Sequence, residues 1–300
     1  MMPEINKLEE QLIDALTSGD DAALAELGLE MARSAELDFP AFHRALNMLG
    51  YHNRLALIVE MMRGAWPHIQ ESDEYSKSAV EAYAARATDH LIFLYLSDGN
   101  GTAPGYGELV ERLEAYFAVD EEQLRSYLRL LQGEVGRPWT RPDFEQLEMA
   151  KVSALTVEFL GYAHRQEAAT FGRAHLARVH LPRYLLDRQA GNLYAKEDMA
   201  AVLKGKRPPL PNREREPQHN LVPDRLTLET YLRRMLQTVN ALPYAAAATL
   251  ELAPAWIHFL LSRGLVAEET SRQAVGDLQG IDEALSGYWQ DHPDPALRPD

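Results

Sequence analysis

A chain of 300 residues, 46% apolar and 25% charged, has the composition of a folded protein and the length for one large or two smaller domains. It contains no cysteine, which excludes disulfides, thiolate metal sites, iron–sulfur clusters and thiol catalysis. The formal charge of −15 repels nucleic-acid phosphate, and the acidic start MMPEINKLEEQLIDAL lacks the pattern of a secretion signal, so a cytoplasmic protein without a nucleic-acid partner is expected.

Helical periodicity runs along almost the whole chain. Leu8, Leu12, Ile13, Ala15 and Leu16 mark a first helix ending near Ser18 and Gly19. Asp20 or Asp21 can cap a second, which carries Leu24, Leu27, Gly28 and Met31 on its apolar face. Asp38 and Pro40 suit the start of a third, and Asn53 suits the cap of a fourth.

A shift of thirty residues aligns Ala15 with Ala45, Leu16 with Leu46, Leu27 with Leu57, Glu30 with Glu60, Met31 with Met61, Arg33 with Arg63 and Ala35 with Ala65. With its turns near Gly19 and Gly50 and the Glu-Met ending of each second helix, the segment 5–70 resembles the α-hairpin repeats of the tetratricopeptide and pentatricopeptide kind. The spacing is shorter than the usual ~34 residues. The resemblance implies stacked hairpins with a groove for peptides or helices of a partner protein. Nine Asp or Glu against Lys7 and Arg33 in the first 36 residues predict an acidic groove, suited to basic or amphipathic segments. Glu30, Glu60, Arg33 and Arg63 are candidate partner-binding residues by recurrence. Asn53 and Arg54 join them from the second turn.

Tyr75 to Leu96 reads as an Ala-rich helix whose last part, LIFLYL (91–96), also fits a strand. The loop SDGNGTAPGYG follows. It lacks the third glycine of a dinucleotide turn and any Gly-Lys-Ser/Thr. As a calcium loop it has Asp98, Asn100 and Thr102 at positions one, three and five, but Ala103 and Leu109 stand where glycine and glutamate are needed. It is expected to be a connector. Helices resume at GELVERLEAYF and, after a cap at Asp120, at EEQLRSYLRLL.

Arg141 to Asp187 reads as the longest helical region, with Val152, Leu155, Phe159, Leu160 and Ala163 as its apolar stripe. Gly161 and Gly172 weaken it and Pro182 breaks or kinks it. On a continuous helix His164, Glu167, Phe171 and His175 extend the same stripe. A buried imidazole and carboxylate must find partners, so His164 and Glu167 carry the alternative reading: a ligand or metal site in a helical-bundle enzyme. His164 and His175 lie ~16 Å apart on a helix, too far to share an ion. Arg165, Arg173 and Arg178 are near enough in sequence to neutralise Glu167. No resident metal or other cofactor is expected.

From 190 to 225 the pattern dissolves into KGKRPPLPNREREPQHNLVPD, a Pro-rich basic loop or linker; Pro208, Pro211 and Arg213 have the spacing of a polyproline ligand. Three helical patterns follow. Glu251 and two prolines within Ala241–Leu261 argue for a buried helix and against a membrane span, and His258, beside Trp256 and Phe259, reads as a core histidine.

The expected fold is all-α, with antiparallel helical hairpins in a solenoid-like or bundle arrangement. Its divisions are N-terminal hairpins at 1–97, a central helical region at 98–189, the linker at 190–225, C-terminal helices at 226–290 and a frayed tail at 291–300. The expected function is a non-catalytic protein–protein interaction or assembly module; homo-oligomerisation is left open.

Overall fold

The computed structural model describes residues 2–33, 39–71, 75–96, 105–134, 136, 138–193, 219–237, 241–290 and 292–298. The fold is all-α, with no strand among the described residues. Two compact units are present. One comprises Met1–Leu128, Thr170–Arg173 and His292–Ala296, the other Arg129–Ala169, Ala174–Asp291 and Leu297–Asp300.

The first unit contains α1 (Met2–Ser18), α2 (Asp21–Arg33), α3 (Phe39–Tyr51), α4 (Leu55–Glu71), α5 (Lys77–Leu96), α6 (Tyr106–Glu114) and most of α7 (Glu121–Leu131). α1 packs on α2 and α3, α2 on α4, α3 on α4, α4 on α5, and α5 on α6. Both N-terminal hairpins turn the same way. In the first, the Ala15 carbonyl accepts the Asp20 N–H at 3.0 Å and the Leu16 carbonyl accepts the Gly19 N–H at 3.3 Å. In the second, Leu49 accepts from Arg54 at 2.8 Å and Gly50 from Asn53 at 2.9 Å. Gly19 (φ +72°) and Asn53 (φ +56°) are the left-handed residues that stop each first helix.

These equivalent turn residues stand 34 positions apart, not the thirty of the sequence alignment. Buried Leu12, Ala15, Leu24 and Met31 accordingly correspond to buried Leu46, Leu49, Ile58 and Ala65. The difference is four residues, close to one helical turn, so either alignment matches apolar positions with apolar positions. Asp20 caps α2, its Oδ1 accepting the Ala23 N–H at 3.0 Å. Asn53 does not cap α4. Being left-handed it ends α3, and its Oδ1 accepts the Gly172 N–H at 3.1 Å.

LIFLYL is helical: Leu91, Ile92 and Phe93 are buried on α5, and Phe93 stacks on Phe171 with centroids 5.0 Å apart. Gly172 follows directly, and a Cβ on it would lie 1.7 Å from the Gly50 oxygen. Residues 97–104, with Asp98, Asn100, Thr102 and Ala103, lie outside the described residues, whereas Leu109 is a buried residue of α6. Part of the expected tail makes contacts within the first unit. Asp294 is buried, its Oδ1 accepts the Ala296 N–H at 2.9 Å, and its Oδ2 lies 2.6 Å from His52 Nε2.

The second unit contains α8 (Arg141–Glu145), α9 (Met149–Gln166), the body of α10 (Phe171–Gln189), α11 (Arg225–Gln237), α12 (Pro243–Ser262), α13 (Glu268–Leu278) and α14 (Ile281–Trp289). α12 packs against α9, α11 and α13, and α11 packs on α14. The aromatic centre is Trp256, edge-on to Phe159 at 5.3 Å, with its indole N–H donating to the Leu221 carbonyl at 2.8 Å. α12 is the one described helix long and apolar enough to cross a membrane, and most of its apolar window is buried inside the chain.

The region 141–187 is three helices, not one. α9 stops where Ala168 turns left-handed (φ +51°), and the Ala163 carbonyl collects the N–H groups of both Glu167 and Ala169, each at 3.1 Å. Thr170 Oγ1 then accepts the Arg173 N–H at 3.4 Å and starts α10. Pro182 sits inside α10 without ending it. Gly161 is a close-approach residue, since a Cβ there would lie 1.8 Å from the Leu131 oxygen. Within 190–225, residues 194–218 lie outside the described residues, Pro208, Pro211 and Arg213 among them. Leu221 and Val222 are core residues, and Arg188 donates to the carbonyls of Val222 and His219.

Candidate functional site

Two surfaces hold the residues singled out by sequence. On the first unit, Glu30 and Glu60 are exposed, and Glu60 lies 4.0 Å from Arg63 on its own helix. Arg54 pairs with Asp21 at 3.0 Å. Asn53 is committed to the Gly172 backbone, so its role is structural. The Arg33 side chain lies outside the described residues. The 34-residue relation makes Glu26, not Glu30, the counterpart of Glu60, and both are exposed.

Helices α1 and α2 carry further exposed carboxylates outside the thirty-residue recurrence. Glu10, Asp14 and Glu26 are exposed on α1 and α2, with no ion pair among the described residues. Leu29, 38% exposed, lies on the same helix as Glu26 and Glu30. Exposed carboxylates without cations leave a negative local field, which attracts basic groups at low ionic strength. The signal was present in the sequence as the acidic excess of the first 36 residues.

The unit also encloses a polar cluster. Arg86 donates through Nη2 to Asn47 Oδ1 at 2.9 Å, and the Tyr127 hydroxyl donates to Asp89 Oδ1 at 2.8 Å. His90 is 1% exposed and its Nδ1 lies 2.8 Å from the Arg86 carbonyl, to which it donates as the neutral ring. Burial, and secondarily the Arg86 charge, push the His90 pKa down to about 4. Burial also lowers that of Arg86 to about 10. The hydrogen bonds tie α3, α5 and α7 together.

In the second unit the His164–Glu167 pair does not form. His164 is exposed, its Nδ1 3.2 Å from the Ala169 carbonyl, while Glu167 is the C-cap of α9, its N–H still bonded to the Ala163 carbonyl. Arg165 donates to the Leu131 carbonyl, and Arg173 covers the Tyr51 ring at 4.1 Å. Among the described residues no arginine pairs with Glu167. Its Oε1 instead meets the Tyr162 hydroxyl and His258 Nδ1, each at 3.2 Å. Burial, then the Glu167 charge, raise the Tyr162 pKa.

His258 is therefore not a core histidine; it is 46% exposed at its side chain. Glu251, seven residues earlier, marks the same polar stripe of α12, and that spacing was the available clue. Chemically, a carboxylate holding Nδ1–H orients the imidazole and leaves Nε2 as a base. No group of three or more His, Asp or Glu with metal-site geometry occurs among the described residues. Comparison of the chain with family models, curated proteins and solved structures found no match.

Proposed function

We propose that the chain is a non-catalytic helical interaction module whose N-terminal hairpins bind basic or amphipathic segments of a partner protein. The observation that carries this reading is the set of exposed carboxylates on α1 and α2, Glu10, Asp14 and Glu26, which make no ion pair among the described residues, together with the exposed Leu29 of α2. The 34-residue relation of the two turns supports the resemblance to tetratricopeptide-like hairpins, whose usual period is ~34. Fluorescence anisotropy with a labelled Lys/Leu amphipathic peptide tests the proposal. Binding should weaken sharply as salt rises, and replacing Glu10, Asp14 and Glu26 with Gln, Asn and Gln should weaken it about tenfold, or ~1.4 kcal/mol. Salt-insensitive binding would remove the electrostatic basis.

A second reading, a metal- or cofactor-dependent helical-bundle enzyme, draws support from the Glu167–His258 contact. It takes His258 as the imidazole partner in place of His164. Metal analysis of protein purified without an affinity tag separates the two readings. Stoichiometric zinc, manganese or iron that disappears on Glu167→Ala would favour the enzyme, whereas metal-free protein favours the module.

A further inference from the structure

Two buried nitrogens of the first unit lack an acceptor, and they belong to side chains that are hydrogen-bonded to each other. Asn47, on α3, is 3% exposed; its Oδ1 accepts from Arg86 Nη2 at 2.9 Å, but its Nδ2 meets no acceptor among the described residues. Arg86, on α5, is half-buried as a residue, and its Nε is covered with no acceptor either. No carboxylate pairs with Arg86 among the described residues. Asp89, three residues on, accepts the Tyr127 hydroxyl through Oδ1 and acts on Arg86 only at longer range. His90 adds no acceptor through Nδ1, which faces the Arg86 carbonyl. A buried donor left unmet is costly, and more so when it belongs to a charge. One negatively charged acceptor touching Nε and Nδ2 removes both deficits and balances the guanidinium.

We propose that Arg86 Nε and Asn47 Nδ2 hold a small monovalent anion of the halide class, chloride in the first instance. Each nitrogen is one carbon removed from the Arg86–Asn47 hydrogen bond, which keeps both within reach of a single ion. A halide asks only for donors. An oxyanion brings further oxygens that need donors of their own, and the Asp89 charge weighs against a multivalent ion. The bound anion joins α3 to α5, so the stability of the first unit follows its concentration. This site is separate from the exposed carboxylates of α1 and α2, and it takes an ion of the opposite sign to the partner proposed there.

Urea unfolding of the full chain, with chloride exchanged for gluconate at fixed ionic strength, is the test. Fixed ionic strength holds constant the screening of the −15 charge, which any salt provides. Once the site fills, the folded-to-unfolded ratio should rise about tenfold for each tenfold rise in chloride. Asn47→Asp keeps the acceptor toward Arg86 and puts a carboxylate oxygen in place of Nδ2, so the chain supplies its own counter-ion. That variant should fold, as circular dichroism checks, and lose the chloride dependence. Crystals of the native protein soaked in bromide give a readout that needs no variant: anomalous density should touch both Arg86 Nε and Asn47 Nδ2. A water molecule accepting from the same two nitrogens would leave stability indifferent to chloride. Native stability that ignores chloride, an Asn47→Asp protein that keeps the native dependence, or bromide that binds only elsewhere would each overturn the proposal.

Discussion

Gly172→Ala is expected to destabilise the first unit by about 3 kcal/mol or more. The added Cβ would lie 1.7 Å from the Gly50 carbonyl oxygen, far inside van der Waals contact, and the obstructing atom is backbone. A flexible side chain could move aside; the end of α3 cannot do so without disturbing its turn. Phe171 and Asn53 would be displaced together, because the stack on Phe93 and the hydrogen bond to the Gly172 N–H both depend on this approach. Gly107→Ala, in α6 with nothing within 4 Å of the new Cβ, is the control and should be neutral or stabilising by ~0.5 kcal/mol. Urea unfolding followed by circular dichroism compares them. Coincident curves for the two variants would mean that α10 does not start against Gly50. Gly161→Ala should repeat the effect in the second unit, against the Leu131 oxygen.

Acidification from pH 6.5 to 4 is expected to cost the first unit on the order of 3 kcal/mol through His90 alone, and His90→Gln should remove that dependence. The folded pKa is pushed to about 4, below the ordinary ~6.5 of the unfolded chain, by burial and by Arg86. Between those values the unfolded chain holds a proton that the folded chain refuses, so stability rises with pH across the window. The contribution is complete above about 6.5 and is lost progressively as pH falls to about 4; at 1.36 kcal/mol per unit this gives the figure above. Asp143 responds in a different range. Lys151 and the Thr140 backbone and hydroxyl hold its carboxyl at about 2, so it acts at lower pH. Denaturation midpoints of native and His90→Gln protein across pH 4 to 7 are the measurement. Parallel slopes would show that His90 is not buried as a neutral ring.

The helices were legible where local chemistry specifies them. Asp20 and Asp120 cap the helices expected of them, their carboxylates accepting the N–H groups of Ala23 and Gln123 at 3.0 Å. The left-handed stop of the first helix at Gly19 was also readable, since glycine bears no Cβ penalty there. The equivalent stop at Asn53 was misread as a cap because asparagine suits both roles. The break after Gln166 was missed for a related reason. Its left-handed residue is Ala168, which carries no turn signal, and the only local clue was Thr170 before Phe171.

The candidate site shows the same boundary. Apolar spacing identifies which side of a helix seeks cover, and the acidic excess of the first 36 residues identifies the charge of the N-terminal face. Neither says which neighbour arrives. Glu167 meets His258, which is 91 positions away, and Gly172 meets Gly50, 122 positions away.

By itself, then, the sequence determined that the chain is all-α, that cysteine chemistry is excluded, and that its first 36 residues carry an acidic excess, because these depend on composition and on contacts within a few residues. The tertiary structure alone decided the 34-residue register of the hairpins, the partners of Glu167 and the exposure of His258. Those depend on side chains brought together across the chain, and a helical period repeats every turn, so sequence cannot distinguish one turn from the next until a neighbour packs against it.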